Sequence, residues 1–98
     1  MSNRQVELLL REHFVLSQRA FVEIVVWRLP TPSRGSQHGF KYRLAYVANG
    51  RCVLRFDNEA GKGDHMHVDE HEVPYAFTDL ETLQSDFWRA VRRWRRGK

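Results

Sequence analysis

The chain has 98 residues, 42% of them hydrophobic and 29% charged, with a single cysteine, Cys52, and a net charge of +4. That length accommodates one hydrophobic core, so residues 1–98 form one domain; the apolar content excludes disorder, and a lone thiol excludes both an intramolecular disulfide and a Cys-based zinc site. The charge is laid out in blocks: nine bases against three acids up to Phe56, eight acids against Lys62 alone from Asp57 to Glu81, and six bases against Asp86 from Thr82 onward. Two basic surfaces separated by an acidic rim are implied, and basic surfaces attract phosphates or acidic partners.

In chain order, Leu8, Leu10, Phe14 and Leu16 fall at alternate positions, with Glu12 between them, which favours a strand within Arg4–Leu16 over the alternative of a short helix beginning at Val6–Leu10. Ser17-Gln-Arg-Ala20 reads as a turn, and the β-branched and aromatic run Phe21–Leu29 as a second strand. Two prolines one residue apart make Pro30–Ser36 a loop. Lys41–Ala48 and Arg51–Asp57 are strand-like runs joined by Asn49-Gly50, the pair favoured in a two-residue type I′ hairpin. A regular hairpin on that turn pairs Tyr46 with Val53, Leu44 with Arg55 and Tyr42 with Asp57. Its core face then carries Ala45, Val47, Cys52, Leu54 and Phe56, and its other face groups Tyr42, Arg55 and Asp57.

Residues 58–64 hold two glycines and are irregular, His65–Val68 and His71–Phe77 are short strand candidates, and Thr78-Asp-Leu-Glu81 has the pattern of a helix capping box. From its third residue onward Leu80, Leu83, Phe87, Ala90, Val91 and Trp94 recur at helical spacing, and arginines cover much of the remaining surface near the C-terminal end. The fold class predicted is α+β: an antiparallel sheet of four to five strands with a C-terminal helix packed on one face.

The segment Arg55–His67 concentrates the chemistry. Two imidazoles two residues apart on an extended segment share a side, and such a pair can act as base and acid in phosphodiester cleavage. Gly61 and Gly63 let the backbone approach a ligand, Lys62 and Arg55 supply charge for a phosphate, and Asp57, Asp64 and Tyr42 support them. The spacing is not that of a P-loop. His65, His67 and His71, with Asp57 or Asp64, also have enough nitrogen and oxygen donors for zinc or manganese. Arg89, Arg92, Arg93 and Arg96 on the helix offer a seat for nucleic acid or an acidic protein.

Tyr42-Arg-Leu-Ala-Tyr46, Arg55-Phe-Asp-Asn-Glu-Ala-Gly-Lys-Gly-Asp-His-Met-His67, Pro74-Tyr-Ala-Phe-Thr78 and a terminal helix with Asp86-Phe87 resemble the TumE-type toxin family, small toxins of type II toxin–antitoxin modules. Phe21-Val-Glu-Ile-Val-Val-Trp27 followed by Pro30-Thr-Pro32 resembles the family's early strand and proline loop. Phe56 departs from the tyrosine common there, and Ser17-Gln-Arg-Ala20 from an Asp-Gly type of turn. The resemblance implies a toxin with a cognate antitoxin.

Three functions are therefore weighed. The first is a metal-independent endoribonuclease using His65, His67, Lys62 and Arg55, with RNA as substrate and no cofactor. The second is a non-catalytic binding module acting through the basic helix, and the third a metal-dependent nuclease. No apolar run approaches the roughly 20 residues that cross a bilayer, and Val6–Leu10 runs into charged residues unlike a signal peptide, so a cytoplasmic protein without a membrane partner is expected. A homodimer is compatible with the sequence.

Overall fold

The computed structural model describes residues 5–32, 37–59, 61 and 63–97. Six strands follow one another into an antiparallel sheet whose spatial order is the chain order: β1 (Glu7–Ser17), β2 (Ala20–Arg28), β3 (Phe40–Ala48), β4 (Arg51–Asp57), β5 (His65–Val68) and β6 (His71–Pro74). One helix, α1 (Leu80–Arg96), lies across one face. The α+β architecture is as the sequence predicts, but the sheet has six strands rather than four to five. The added strand comes from the acidic block. Asp69 takes a positive φ of 55°, which short polar side chains tolerate, and the tight turn it makes allows both four-residue segments to pair.

Alternation along β2 sends Ala20, Val22, Ile24 and Val26 to the helix side, opposite Ala48, Tyr46, Leu44 and Tyr42 of β3. The β3–β4 hairpin turns as predicted, with positive φ at Asn49 (55°) and Gly50 (77°) and with Ala48 opposite Arg51 and Val47 opposite Cys52. The register then shifts by one. Val53 is the additional residue of a bulge, and beyond it Tyr46 faces Leu54, Leu44 faces Phe56 and Arg43 faces Asp57. The regular pairing expected from the sequence is thus wrong past Val47. Its predicted faces are corrected with it: Tyr42, Leu44 and Tyr46 are core, while Ala45, Val47, Arg55 and Asp57 lie on the side away from the helix. The cause is burial. A regular register would set Arg55 and Asp57 beside the tyrosines and leucine under α1, whereas the bulge turns Leu54 and Phe56 inward instead.

Helix α1 closes the core with Leu83, Phe87 and Val91, each no more than 1% exposed. The Phe87 ring meets Phe56 edge-on at 5.6 Å, Trp94 meets Tyr46 at 5.4 Å, and Trp88 meets Phe14 of β1 at 5.5 Å. The cap is Asp79, one residue later than the box read from the sequence. Its carboxylate accepts the Thr82 N–H at 2.7 Å, and this backbone hydrogen bond holds the carboxyl below its ordinary range.

Where β4 ends, Asn58 substitutes for the missing strand. Fully buried, its Oδ1 accepts the Tyr42 N–H at 3.0 Å and its Nδ2 donates to the Phe40 carbonyl at 2.8 Å. Replacing Asn58 with alanine leaves both backbone groups buried without these partners; urea denaturation is expected to register a loss of roughly 2–4 kcal/mol, with an unchanged m-value.

Candidate functional site on the open sheet face

The face of the sheet away from α1 carries the cluster. Pairing of β4, β5 and β6 sets Asp57 opposite His65, Arg55 opposite His67, and His67 opposite Glu72. Residues two apart on one strand share a face, so Arg55, Asp57, His65, His67 and Glu72 come together on three adjacent strands. The Asp57 carboxylate is the hub: Oδ1 lies 2.9 Å from His65 Nε2 and Oδ2 lies 2.6 Å from Arg55 Nε. That second contact is off hydrogen-bond alignment and acts as an ion pair. Glu72 Oε2 spans the two imidazoles, 3.3 Å from His65 Nε2 and 3.8 Å from His67 Nε2.

The two histidines share a side, with ring centroids 5.1 Å apart, but their environments differ. The His65 side chain is 6% exposed, and its Nδ1 donates to the Gly63 carbonyl at 3.0 Å, because a carbonyl can only accept. Its Nε2 faces two carboxylates, so the form that satisfies every contact has a proton on each nitrogen. In that form one guanidinium and one imidazolium balance the charges of Asp57 and Glu72. His67 is 25% exposed and its Nε2 lies 2.9 Å from Arg55 Nη2. A guanidinium only donates, so His67 Nε2 is the acceptor in this contact and the ring is neutral. Burial, and next the Arg55 charge, push the His67 pKa below its ordinary value.

Beside the cluster lies a second group that the sequence does not announce. Asp64 Oδ2 accepts from the Tyr42 hydroxyl and from His38 Nε2, each at 2.7 Å. His38 Nδ1 in turn accepts the Phe40 N–H at 3.2 Å, which fixes the tautomer, and the ring stacks on Phe77 at 3.8 Å. Burial, then the bond to Asp64, raise the Tyr42 pKa, so the phenol keeps its proton and serves as a donor. The period-two series His38, Phe40, Tyr42 is the sequence signal that points to this group. Asp64 and Tyr42 thus anchor the loop entering β5, and the loop's two described glycines have positive φ, 74° at Gly61 and 86° at Gly63.

The predicted constellation is therefore only partly assembled. Arg55, Asp57, His65 and His67 meet; Tyr42 does not join Arg55 and Asp57 but reaches Asp64 from the core side. Lys62 lies outside the described residues. His71 begins β6, exposed and opposite Val68; among the described residues the grouping able to hold a metal is Asp57, His65 and His67, with donor atoms within 4.8 Å of one another. Glu72 is a member that the sequence-based expectation omits; pairing residues 65–68 with 71–74 across an Asp69-Glu70 turn would have found it. Arg89, Arg92, Arg93 and Arg96 are exposed on the helix, which covers the opposite face of the sheet.

In an NMR titration of the histidine ring protons, His67 is expected to titrate below the usual 6.5. Arg55→Gln removes one cause of that depression, so the His67 midpoint should move upward in the variant; an unchanged midpoint would contradict the Arg55–His67 contact.

No helix among the described residues is long and apolar enough to cross a membrane. No curated protein and no solved structure matches this chain. The family model described as Toxin TumE matches residues 4–95, essentially the whole length, and the chain belongs to that toxin family.

Proposed function

We propose that this toxin acts on RNA and cleaves it without a metal, with His67 and Arg55 as the catalytic residues. The observation that carries the reading is the pairing of a neutral, partly exposed imidazole with a guanidinium on an uncovered face. His67 Nε2 takes the proton of a ribose 2′-hydroxyl, and the 2′-oxygen attacks the adjacent phosphorus. The bond from phosphorus to the 5′-oxygen breaks, and His67 returns the proton to that oxygen. Arg55 moves from His67 to the phosphate and meets the charge that builds on its oxygens. The products are a 2′,3′-cyclic phosphate and a 5′-hydroxyl end, and the protons balance.

His65 has a different role from the base or acid expected of either member of the pair. Buried, with both nitrogens occupied, it is a positioning residue: with Asp57 it holds Arg55, and through Glu72 it reaches His67. The arginines of α1 lie across the sheet from this site and serve the cognate antitoxin rather than the scissile phosphate.

A metal-dependent nuclease is the second reading, favoured by the close approach of the donor atoms of Asp57, His65 and His67. The residues fit zinc or manganese, with the Gly63 carbonyl orienting His65 as carbonyls orient metal-bound imidazoles. The Arg55 guanidinium in the same cluster opposes a second cation.

RNA cleavage assayed with and without EDTA separates the two. Acid–base chemistry predicts a wild type indifferent to EDTA and a loss of about a hundredfold or more in His67→Gln. Stoichiometric zinc or manganese with activity abolished by EDTA would establish the metal reading, and undiminished cleavage by His67→Gln would remove His67 from the chemistry. For His65→Gln a smaller loss is expected, accompanied by an altered pH profile because the position of Arg55 changes.

A further inference from the structure

The same open face extends past the cluster onto β3, β2 and β1, and its side chains have no role in cleavage. One row across the sheet runs Arg11, Val25, Arg43, Asp57, His65; the neighbouring row runs His13, Glu23, Ala45, Arg55, His67, Glu72. Strands are spaced about 4.8 Å apart, so Arg11 and Arg43 stand roughly 10 Å from each other on a line that ends at the cluster. Lys41 sits two residues from Arg43 on the same face, opposite Trp27.

Charge on this face is unevenly satisfied. Asp57 is committed to Arg55 and His65, Glu72 lies against both histidines, and Glu23 is taken by His13 at 3.3 Å. Among the described residues no carboxylate pairs with Arg11, Lys41 or Arg43. Aromatic surface accompanies these cations: Trp27 is partly exposed beside Lys41, and farther along the face His13 stacks on Phe21 with centroids 4.9 Å apart and planes 21° from parallel. Cations spaced along a track and ring faces beside them are what a single strand requires: phosphates to the cations, unpaired bases to the rings.

We infer that the open face over β1–β3 is a binding track for single-stranded RNA, with Arg11, Lys41 and Arg43 holding phosphates and Trp27 stacking a base, and that it delivers the strand to Arg55 and His67. The inference rests on the reading of RNA as the target, and it locates the substrate on the sheet rather than on the arginine-rich helix. A duplex does not suit the track, because its bases are stacked and paired away from Trp27.

Fluorescence anisotropy with a labelled, unstructured oligoribonucleotide tests this, using the full chain carrying His67→Gln so that bound RNA stays intact. In that background Arg11→Gln with Lys41→Gln is expected to weaken binding and to reduce the slope of log K against log salt by about 0.7 for each phosphate no longer neutralised. Trp27→Ala should weaken binding about fivefold or more, and Trp27→Phe, which keeps a ring, should restore most of it. Arg43→Gln, exchanging one polar side chain for another, reports on the track even if Trp27→Ala does not fold. Unchanged affinity and salt slope in the Arg11, Lys41 and Arg43 variants would overturn the inference, as would loss of binding in Arg92→Gln with Arg93→Gln, or equal affinity for duplex RNA. If the wild type cuts no RNA while the track variants still lose affinity, the cleavage reading fails and the track stands. If the same track substitutions, made in the chain that retains His67, leave the KM of cleavage unchanged, the track fails and the cleavage reading stands.

Discussion

One additional residue in β4, Val53, decides which side of the sheet the later side chains face. Upstream of it the hairpin follows its Asn-Gly turn; downstream the pairing is offset by one, and Leu54 and Phe56 meet Leu44 and Tyr46 under the helix. Because strand periodicity is two, the same offset expels Arg55 and Asp57 to the opposite face. β5 then inherits its register from β4, so His65 and His67 follow them there, and β6 adds Glu72. The apolar core and the charged cluster are thus two consequences of a single bulge. Bulges of this kind commonly re-aim a side chain next to a functional site.

The cluster's internal logic is charge balance around a buried carboxylate. Asp57 is 4% exposed, and an isolated ionised carboxylate there would be costly. Arg55 and His65 meet its two oxygens, and Glu72 accompanies His65 from the far strand. This leaves His67 as the imidazole with room to meet a substrate. The arrangement separates the environments of two residues that look equivalent in sequence: one histidine is enclosed, and the other has its pKa lowered by burial and a nearby guanidinium, which is why the proposed mechanism makes the first a positioning residue and the second the base.

Local signals are legible in the sequence where they depend on chemistry between neighbours: the Asn49-Gly50 turn, the β-branched run of β2, the apolar stripe of α1 and the shared side of His65 and His67. What depends on non-local pairing is not. The bulge at Val53 has no turn residue or glycine to announce it; it follows from which residues the helix finally covers, and a reading without it exchanges the faces of β3. Asp69-Glu70 is a weak turn signal beside Asn-Gly, so His71–Phe77 reads as a strand candidate without a partner, and the pairing that brings Glu72 to His67 escapes the sequence. His38 is distant in sequence from Asp64 and meets it only once β3 is placed beside the end of β4. The equivalence expected of the two histidines fails because burial is a tertiary property: the Gly63 carbonyl and two carboxylates enclose one ring and not the other.

The end groups of cleaved RNA test the central claim most directly, because they record which oxygen attacked. Attack by the ribose 2′-oxygen, with His67 taking its proton, predicts fragments ending in a 2′,3′-cyclic phosphate and beginning with a 5′-hydroxyl, and no cutting of a strand whose 2′-hydroxyls are methylated. Fragments with 3′-hydroxyl and 5′-phosphate ends, or cleavage of the methylated strand, would show that water is the nucleophile and would contradict the account.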